Sequence, residues 1–302
     1  MKKYFGVDVG GTNIKIGVVS EKGKILEKIK YSTTKDRPDD TTFINHFIEV
    51  MGSEIKRFPE IDRIGIGLPG MLSGDRKKIL NLPNIPNLGG RKFYKELQNA
   101  FPDKVFKLEN DANAAALGEY NFGSGKMPET FLFITLGTGV GSGLIFNKKI
   151  FNGGKGNALE LGHILSEDGK ILESYIGKKG IMRMTLNILQ EHPESEINDL
   201  KSFRPKDVAL AGLEGDIVGI KVFQKVGELL GKALVTTLRL LDINDIYVGG
   251  GLSAGLKIIE PEIRKVLSQY LPEYYTEDLK IKKASLGNNA GILGAASLCI
   301  ED

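Results

Sequence analysis

The sequence has a single cysteine, Cys299, and no tryptophan. One thiol cannot close an internal disulfide, which leaves the fold to its apolar core and suits a reducing compartment. It also lacks a long apolar run. The most apolar stretch, Phe131 to Phe146, is broken by four glycines, whereas a membrane span needs ~20 apolar residues in succession. Met1-Lys2-Lys3 imitates the start of a leader, but Asp8, Gly10 and Gly11 interrupt any apolar segment behind it. A cytoplasmic protein without a membrane partner is therefore expected. Charge of one sign is lacking too: 41 Lys and Arg are interleaved with 38 Asp and Glu, for a net charge of +3. Nucleic acid, which needs a concentrated basic stripe, is not an expected partner.

Glycine is abundant, with 38 in 302 residues, well above an average usage of about 7%. Backbone-level contacts to a ligand are worth seeking. The length suggests two domains, because single cores stop growing near ~250 to 300 residues.

Alternating or β-branched runs predict strands at Tyr4–Asp8, Ile14–Ser20 and Ile25–Tyr31. A helical spacing of apolar residues spans Asp39 to Phe58, and a strand follows at Arg63–Gly67. Val105–Leu108 reads as another strand, and the alanine-rich segment Ala112–Tyr120 as a helix starting directly after Asp111. Phe131–Leu136 and Ser142–Phe146 form a second hairpin. At an offset of 127 residues, Gly10 falls on Gly137 and Val18-Val19 on Ile145-Phe146. Strand, glycine turn, strand thus occurs twice, as expected of two similar halves facing a common cleft. The second half continues with helices at Glu173–Gln190, Pro205–Leu213, Asp216–Leu241 and Leu256–Leu271. Strands at Asp245–Val248 and Leu279–Lys283 and a final helix, Ala290–Cys299, complete it.

Five segments can carry chemistry. Asp8-Val9-Gly10-Gly11-Thr12 combines glycines that let N–H groups approach a phosphate with a hydroxyl and a carboxylate able to hold magnesium through water. A structural hairpin turn is the rival. Leu136 to Gly143 repeats the pattern with three alternating glycines after Gly137; two such loops would neutralise a transferring phosphoryl group from both sides. Val248-Gly249-Gly250-Gly251 is neither a dinucleotide fingerprint nor a Walker loop, and suits backbone lying against an adenosine. Glu109-Asn110-Asp111-Ala112-Asn113 sets polar residues at a strand tip before a helix. Asp111 can accept a hydroxyl proton while Asn110 bonds a neighbouring hydroxyl, or Asp111 can be only a helix cap. Glu160-Leu161-Gly162-His163 with Glu173 suits a polyol. A metal site is the rival there, weakened by Gly162 and by the lack of a nearby thiol, so zinc is not expected.

In this order and at these intervals the segments resemble the ROK family of sugar kinases and regulators over essentially the whole chain. Pro83-Asn84-Ile85-Pro86 is similar to its sugar-proximal loop and Gly291 to Ala296 to its C-terminal helix. The resemblance implies an α/β, actin-like duplicated ribonuclease-H-like fold with two domains around a cleft. Residues 1–113 with the returning helix 288–302 would form the first domain and 114–287 the second. It implies Asp111 as the base and Asn84, Asn110, Glu160, His163 and Glu173 at sugar hydroxyls. Asp8, Gly10, Gly11, Thr12, Gly137, Thr138 and Gly139 would meet the phosphates and magnesium, and Gly249 and Gly250 the adenosine. A homodimer is implied as well. Three departures stand out. The cysteine-rich zinc segment of many members is shortened here to Ser166–Leu172, Leu159 replaces a frequent glycine beside Glu160, and Leu88 stands near a frequent tryptophan.

The expected activity is transfer of the γ-phosphoryl of ATP to the 6-hydroxyl of an aldohexose, glucose first, with an N-acetylhexosamine or fructose as alternatives. A sugar-responsive regulator would need a DNA-reading module ahead of residue 8. An actin-like ATPase without a sugar site would give Asn110, Asp111, Glu160, His163 and Glu173 no shared purpose.

Overall fold

The computed structural model of the chain describes residues 2–33, 40–82 and 88–300. The alternation read at the start of the chain gives the antiparallel meander β1 (Lys3–Val9), β2 (Asn13–Ser20) and β3 (Ile25–Ser32). Helix α1 (Asp40–Arg57) leads to β4 (Arg63–Leu68), parallel to β1 with Gly67 opposite Asp8. A hairpin, β5 (Met71–Leu72) and β6 (Ile79–Asn81), and helix α2 (Phe93–Ala100) precede β7 (Val105–Asn110), parallel to β4. The sheet order is β3-β2-β1-β4-β7.

Helix α3 (Asp111–Phe122) follows, and then β8 (Phe131–Leu136), β9 (Val140–Phe146) and β10 (Lys149–Ile150). With β11 (Asp245–Gly249) and β12 (Lys280–Lys283) they form a second sheet, β10-β9-β8-β11-β12. Strand β11 runs parallel to both β8 and β12, and β10 antiparallel to β9. The two orders correspond strand for strand, so the short glycine repeat marks a duplicated, actin-like α/β fold.

Two compact units result. One comprises residues 1–129, 143–159 and 288–302, and the other residues 130–142 and 160–287. All of α3 therefore lies in the first unit, beyond the boundary expected after residue 113. In that unit β1 and β4 split their faces by the two-residue period of a strand. Phe5, Val7, Ile64 and Ile66 enter a core with Phe43, Phe47 and Met51 of α1 and Phe93 and Leu97 of α2. Gly6 and Gly65 lie under α9 (Ala290–Ser297), where an added Cβ would fall 2.0 Å from Ile292 O and 1.8 Å from Ala295 O. Leu88 is wholly buried in the same core, so it is a packing residue and not the rim of a sugar site.

The second unit is built on α7 (Ile217–Leu241), capped by Asp216, whose Oδ1 accepts the Val218 and Gly219 N–H groups. Packed on it are α8 (Leu256–Tyr270) and α6 (Pro205–Glu214), the latter approaching closely where Gly212 meets Gly219. The helix expected over Glu173–Gln190 is two, α4 (Glu173–Ile176) and α5 (Lys178–Leu189). Gly177 between them is extended, which lets the Lys178 N–H reach Thr138 O at 3.1 Å. No helix among the described residues is long and apolar enough to cross a membrane.

Candidate active site

Parallel pairing sets Asp8 of β1 and Glu109 of β7 on either side of Gly67 of β4. The candidate groups of the first unit therefore share the carboxyl-terminal edge of the first sheet, where open α/β sheets bind ligands. Asp8 is cross-strand to Lys15, whose Nζ donates to Asp8 Oδ2 at 2.8 Å. The start of α9 closes on the same carboxylate: a Cβ at Gly291 would lie 2.5 Å from Asp8 Cγ. Gly10 N–H donates to Asn13 O at 2.9 Å in the β1–β2 turn, and Thr12 O accepts the Thr33 N–H at 2.8 Å.

At the other end of this edge, α3 begins at Asp111 itself, one residue earlier than expected. Its cap is Asn110, whose Oδ1 accepts the N–H groups of Ala112 at 2.9 Å and Asn113 at 3.1 Å. Asn110 Nδ2 donates to Gly70 O at 3.1 Å. Asp111 is thus the first helical residue, with Oδ1 accepting the Ala112 N–H at 2.8 Å, and its negative charge sits favourably at the helix start. The Cα of Asp111 lies 3.6 Å from a Cβ built on Gly67, an ordinary van der Waals contact, so the junction lies close to β4.

Two residues that sequence reasoning did not assign hold this junction. Glu109 Oε1 accepts the Asn110 N–H at 2.8 Å and Asn113 Nδ2 at 3.2 Å, and Oε2 accepts Arg76 Nε at 2.9 Å. Glu109 was visible as a charged residue ending an apolar strand. Arg76 carries no local signal, because the loop between β5 and β6 reaches Glu109 only through the tertiary fold.

In the second unit the remaining candidates gather around the β8–β9 turn. Gly137 N–H donates to Gly139 O at 2.9 Å, and Glu173 Oε2 accepts the Val140 N–H at 2.8 Å. A Cβ at Gly139 would lie 2.2 Å from that same oxygen, so glycine is what admits the carboxylate. The short turn Leu161–His163 is tied to β9 by Leu161 N–H donating to Ser142 Oγ at 3.1 Å. His163 Nδ1 is 3.0 Å from Glu160 Oε2. A carboxylate only accepts, so Nδ1 is the donor in this pair. Leu159 adopts φ 65°; the backbone beside Glu160 keeps a left-handed form that leucine holds at a cost of about 1–2 kcal/mol. Gly250 is also left-handed, and its Cβ would meet Leu136 O at 2.2 Å, so the Gly249-Gly250 segment abuts the end of β8. Gly249 packs against the Phe133 ring. Asn84 lies outside the described residues.

The segment between His163 and Glu173 is a small loop closed by Ser166 N–H donating to Lys170 O at 2.7 Å. Glu167 Oε1 takes Lys225 Nζ and Lys232 Nζ, each at 3.0 Å, which pins the loop to α7. The two ammonium groups hold its carboxyl below the usual carboxylate range, Lys232 first. Among the described residues no three His, Cys, Asp or Glu side chains converge as metal ligands. The donor set at Asp8, one carboxylate with a neighbouring lysine, fits magnesium carried mainly by water and phosphate oxygens and not a cation caged by protein.

The chain matches the ROK family over residues 4–302. It is similar to the glucokinase of Thermotoga maritima, at 30% identity over 99% of this chain and 98% of that protein. It is also similar to the N-acetyl-D-glucosamine kinase of Vibrio atlanticus, at 30% identity over 99% of this chain and all of the other. A solved structure from Cytophaga hutchinsonii has a TM-score of 0.92 at 39% identity, over 99% and 100% of the two chains. A ROK family glucokinase from Streptomyces griseus, crystallised with glucose and AMPPNP, has a TM-score of 0.81 at 28% identity, over 98% of each. With its motifs in register and both sheets in the same order, the chain belongs to the ROK family.

Proposed function

We propose that this ROK-family sugar kinase transfers the γ-phosphoryl group of ATP to the 6-hydroxyl of an aldohexose, glucose first, with Asp111 as the general base. The observation that carries this reading is the division of labour at the start of α3. Asn110 Oδ1 accepts both the Ala112 and the Asn113 N–H, so the cap does not require the Asp111 carboxylate, whose Oδ1 shares the Ala112 N–H. A sugar hydroxyl is a poor nucleophile at neutral pH, and a carboxylate that orients it and accepts its proton contributes ~10² to 10⁴-fold in rate.

The remainder is positioning and charge, as phosphoryl transfer requires. N–H groups of Gly10, Gly11 and Thr12, and of Gly137, Thr138 and Gly139, would face phosphate oxygens, and Gly249 and Gly250 would lie along the adenosine. Asp8 would hold magnesium through its water shell, which supplies charge neutralisation of the phosphates. Asn84, Asn110, Glu160, His163 and Glu173 would meet sugar hydroxyls, the carboxylates as acceptors and His163 through Nε2.

Asp111→Asn tests the base. Asparagine keeps the shape, so turnover is expected to fall by two orders of magnitude or more while the melting temperature and the sugar KM change little. Near-normal turnover in the folded variant would sink the assignment. The N-acetyl-D-glucosamine kinase relative supports a second reading, an N-acetylhexosamine acceptor. A panel of glucose, mannose, fructose and N-acetylhexosamines, followed by coupled ADP release, separates the two by the ratio of kcat/KM values.

A further inference from the structure

We propose that Arg76 is a positioning residue that holds the Asp111 junction in its working geometry, an inference that rests on Asp111 being the base. Arg76 sits in the turn between β5 and β6 with φ 58°, a left-handed conformation that a non-glycine residue adopts at a cost and that marks a constraint imposed by its surroundings. What the turn gains is the direction of the guanidinium. Nε donates to Glu109 Oε2 at 2.9 Å, Nη1 to Gly156 O at 2.6 Å and Nη2 to Asn152 Oδ1 at 2.5 Å. Three separate segments of the first unit meet on one planar fork, a geometry a lysine ammonium does not reproduce.

The Arg76 and Glu109 side chains are only 15% and 5% exposed. A buried ion pair is weak grounds for stability, since well-packed apolar groups do as well, so another use for it is indicated. The second oxygen of Glu109 supplies one. Oε1 accepts the Asn110 N–H and Asn113 Nδ2. It thereby grips the cap and the first turn of α3 on both sides of Asp111. Satisfying the carboxylate dictates the Asn113 orientation, and buried Asn113 Oδ1 is left without a hydrogen-bond partner. The same guanidinium fixes residues 152 and 156, in the segment that runs on in sequence to Glu160. Arg76 therefore sets the orientation of Asp111 through Glu109 and touches no substrate itself.

Arg76→Lys keeps the counter-ion of Glu109 but loses the fork. It is expected to fold, with unchanged far-UV circular dichroism at the assay temperature and KM for ATP within about twofold. Its kcat with the best sugar of the panel is expected to fall about tenfold or more, because small misplacements of a reacting group cost that much. Arg76→Gln combined with Glu109→Gln removes both charges together, leaves no buried charge alone and is expected to lose kcat likewise; it decides the matter if the lysine variant does not fold. Added to Asp111→Asn, Arg76→Lys should cause no further loss in single-turnover rate, since both act through one group. Native kcat in folded Arg76→Lys beside an inactive Asp111→Asn protein would overturn the proposal alone, as would losses that multiply in the double variant. Near-normal turnover in Asp111→Asn by itself would instead remove the reading on which the proposal rests.

Discussion

Asn110 and Asp111 are neighbours at the start of α3, and the helix cap could fall on either. Both cap helices well, and only the observed hydrogen bonds of Asn110 Oδ1 to Ala112 and Asn113 assign the cap to the first of them. The local sequence made the junction legible and left its internal roles open. Tyr31 is a second case in which one residue's partner matters more than its type. Its hydroxyl donates to the buried carboxylate of Glu54, and chiefly this bond, with burial, pushes the phenol up to about 12. A raised pKa means that the neutral phenol is the form stabilised by folding. The contribution is therefore complete below the unfolded value near 10 and disappears as pH rises through about 12. Tyr31→Phe is expected to lose about 1 kcal/mol at neutral pH. Its unfolding midpoint should differ from that of the parent up to about pH 10 and converge with it toward pH 12.

Among elements, the contact of α9 with the first sheet depends most strictly on glycine. Gly6 and Gly65 lie inside strands, where glycine weakens pairing but permits another backbone to approach. Sequence reasoning took the glycine excess as a sign of ligand contacts. Much of it instead serves backbone packing, at Gly6 and Gly65 under α9, at Gly118 against Gly294 between α3 and α9, and at Gly212 against Gly219. Gly65→Ala would put a methyl group 1.8 Å from the Ala295 carbonyl oxygen, which belongs to helix backbone and cannot rotate away. Overpacking of this kind costs about 1–3 kcal/mol. The start of α9 abuts Asp8, so the variant is expected to combine a lowered melting temperature with a raised KM for ATP; a native melting curve would contradict the packing argument.

For the molecule as a whole, the duplicated strand order relates the two sheets more clearly than any residue identity does. The repeat was most legible in sequence at the glycine turns, because a turn requires particular residues while a strand accepts any that fit its faces. Strand β10, two residues long, and the β5–β6 hairpin escaped the reading for want of length. The ROK resemblance also supports a homodimer. We therefore expect light scattering to return twice the 33.0 kDa chain mass, and a value matching one chain would contradict this.

By itself the sequence determined the meander, the long helices, the duplicated glycine turns and the family. Each is written in periodicity or in residues within a few positions of one another. Only the tertiary structure decided that Leu88 is core, that Glu173 leans on the second glycine turn, and that Arg76 reaches Glu109. These depend on side chains brought together from positions far apart in the chain, and no local pattern encodes such distances.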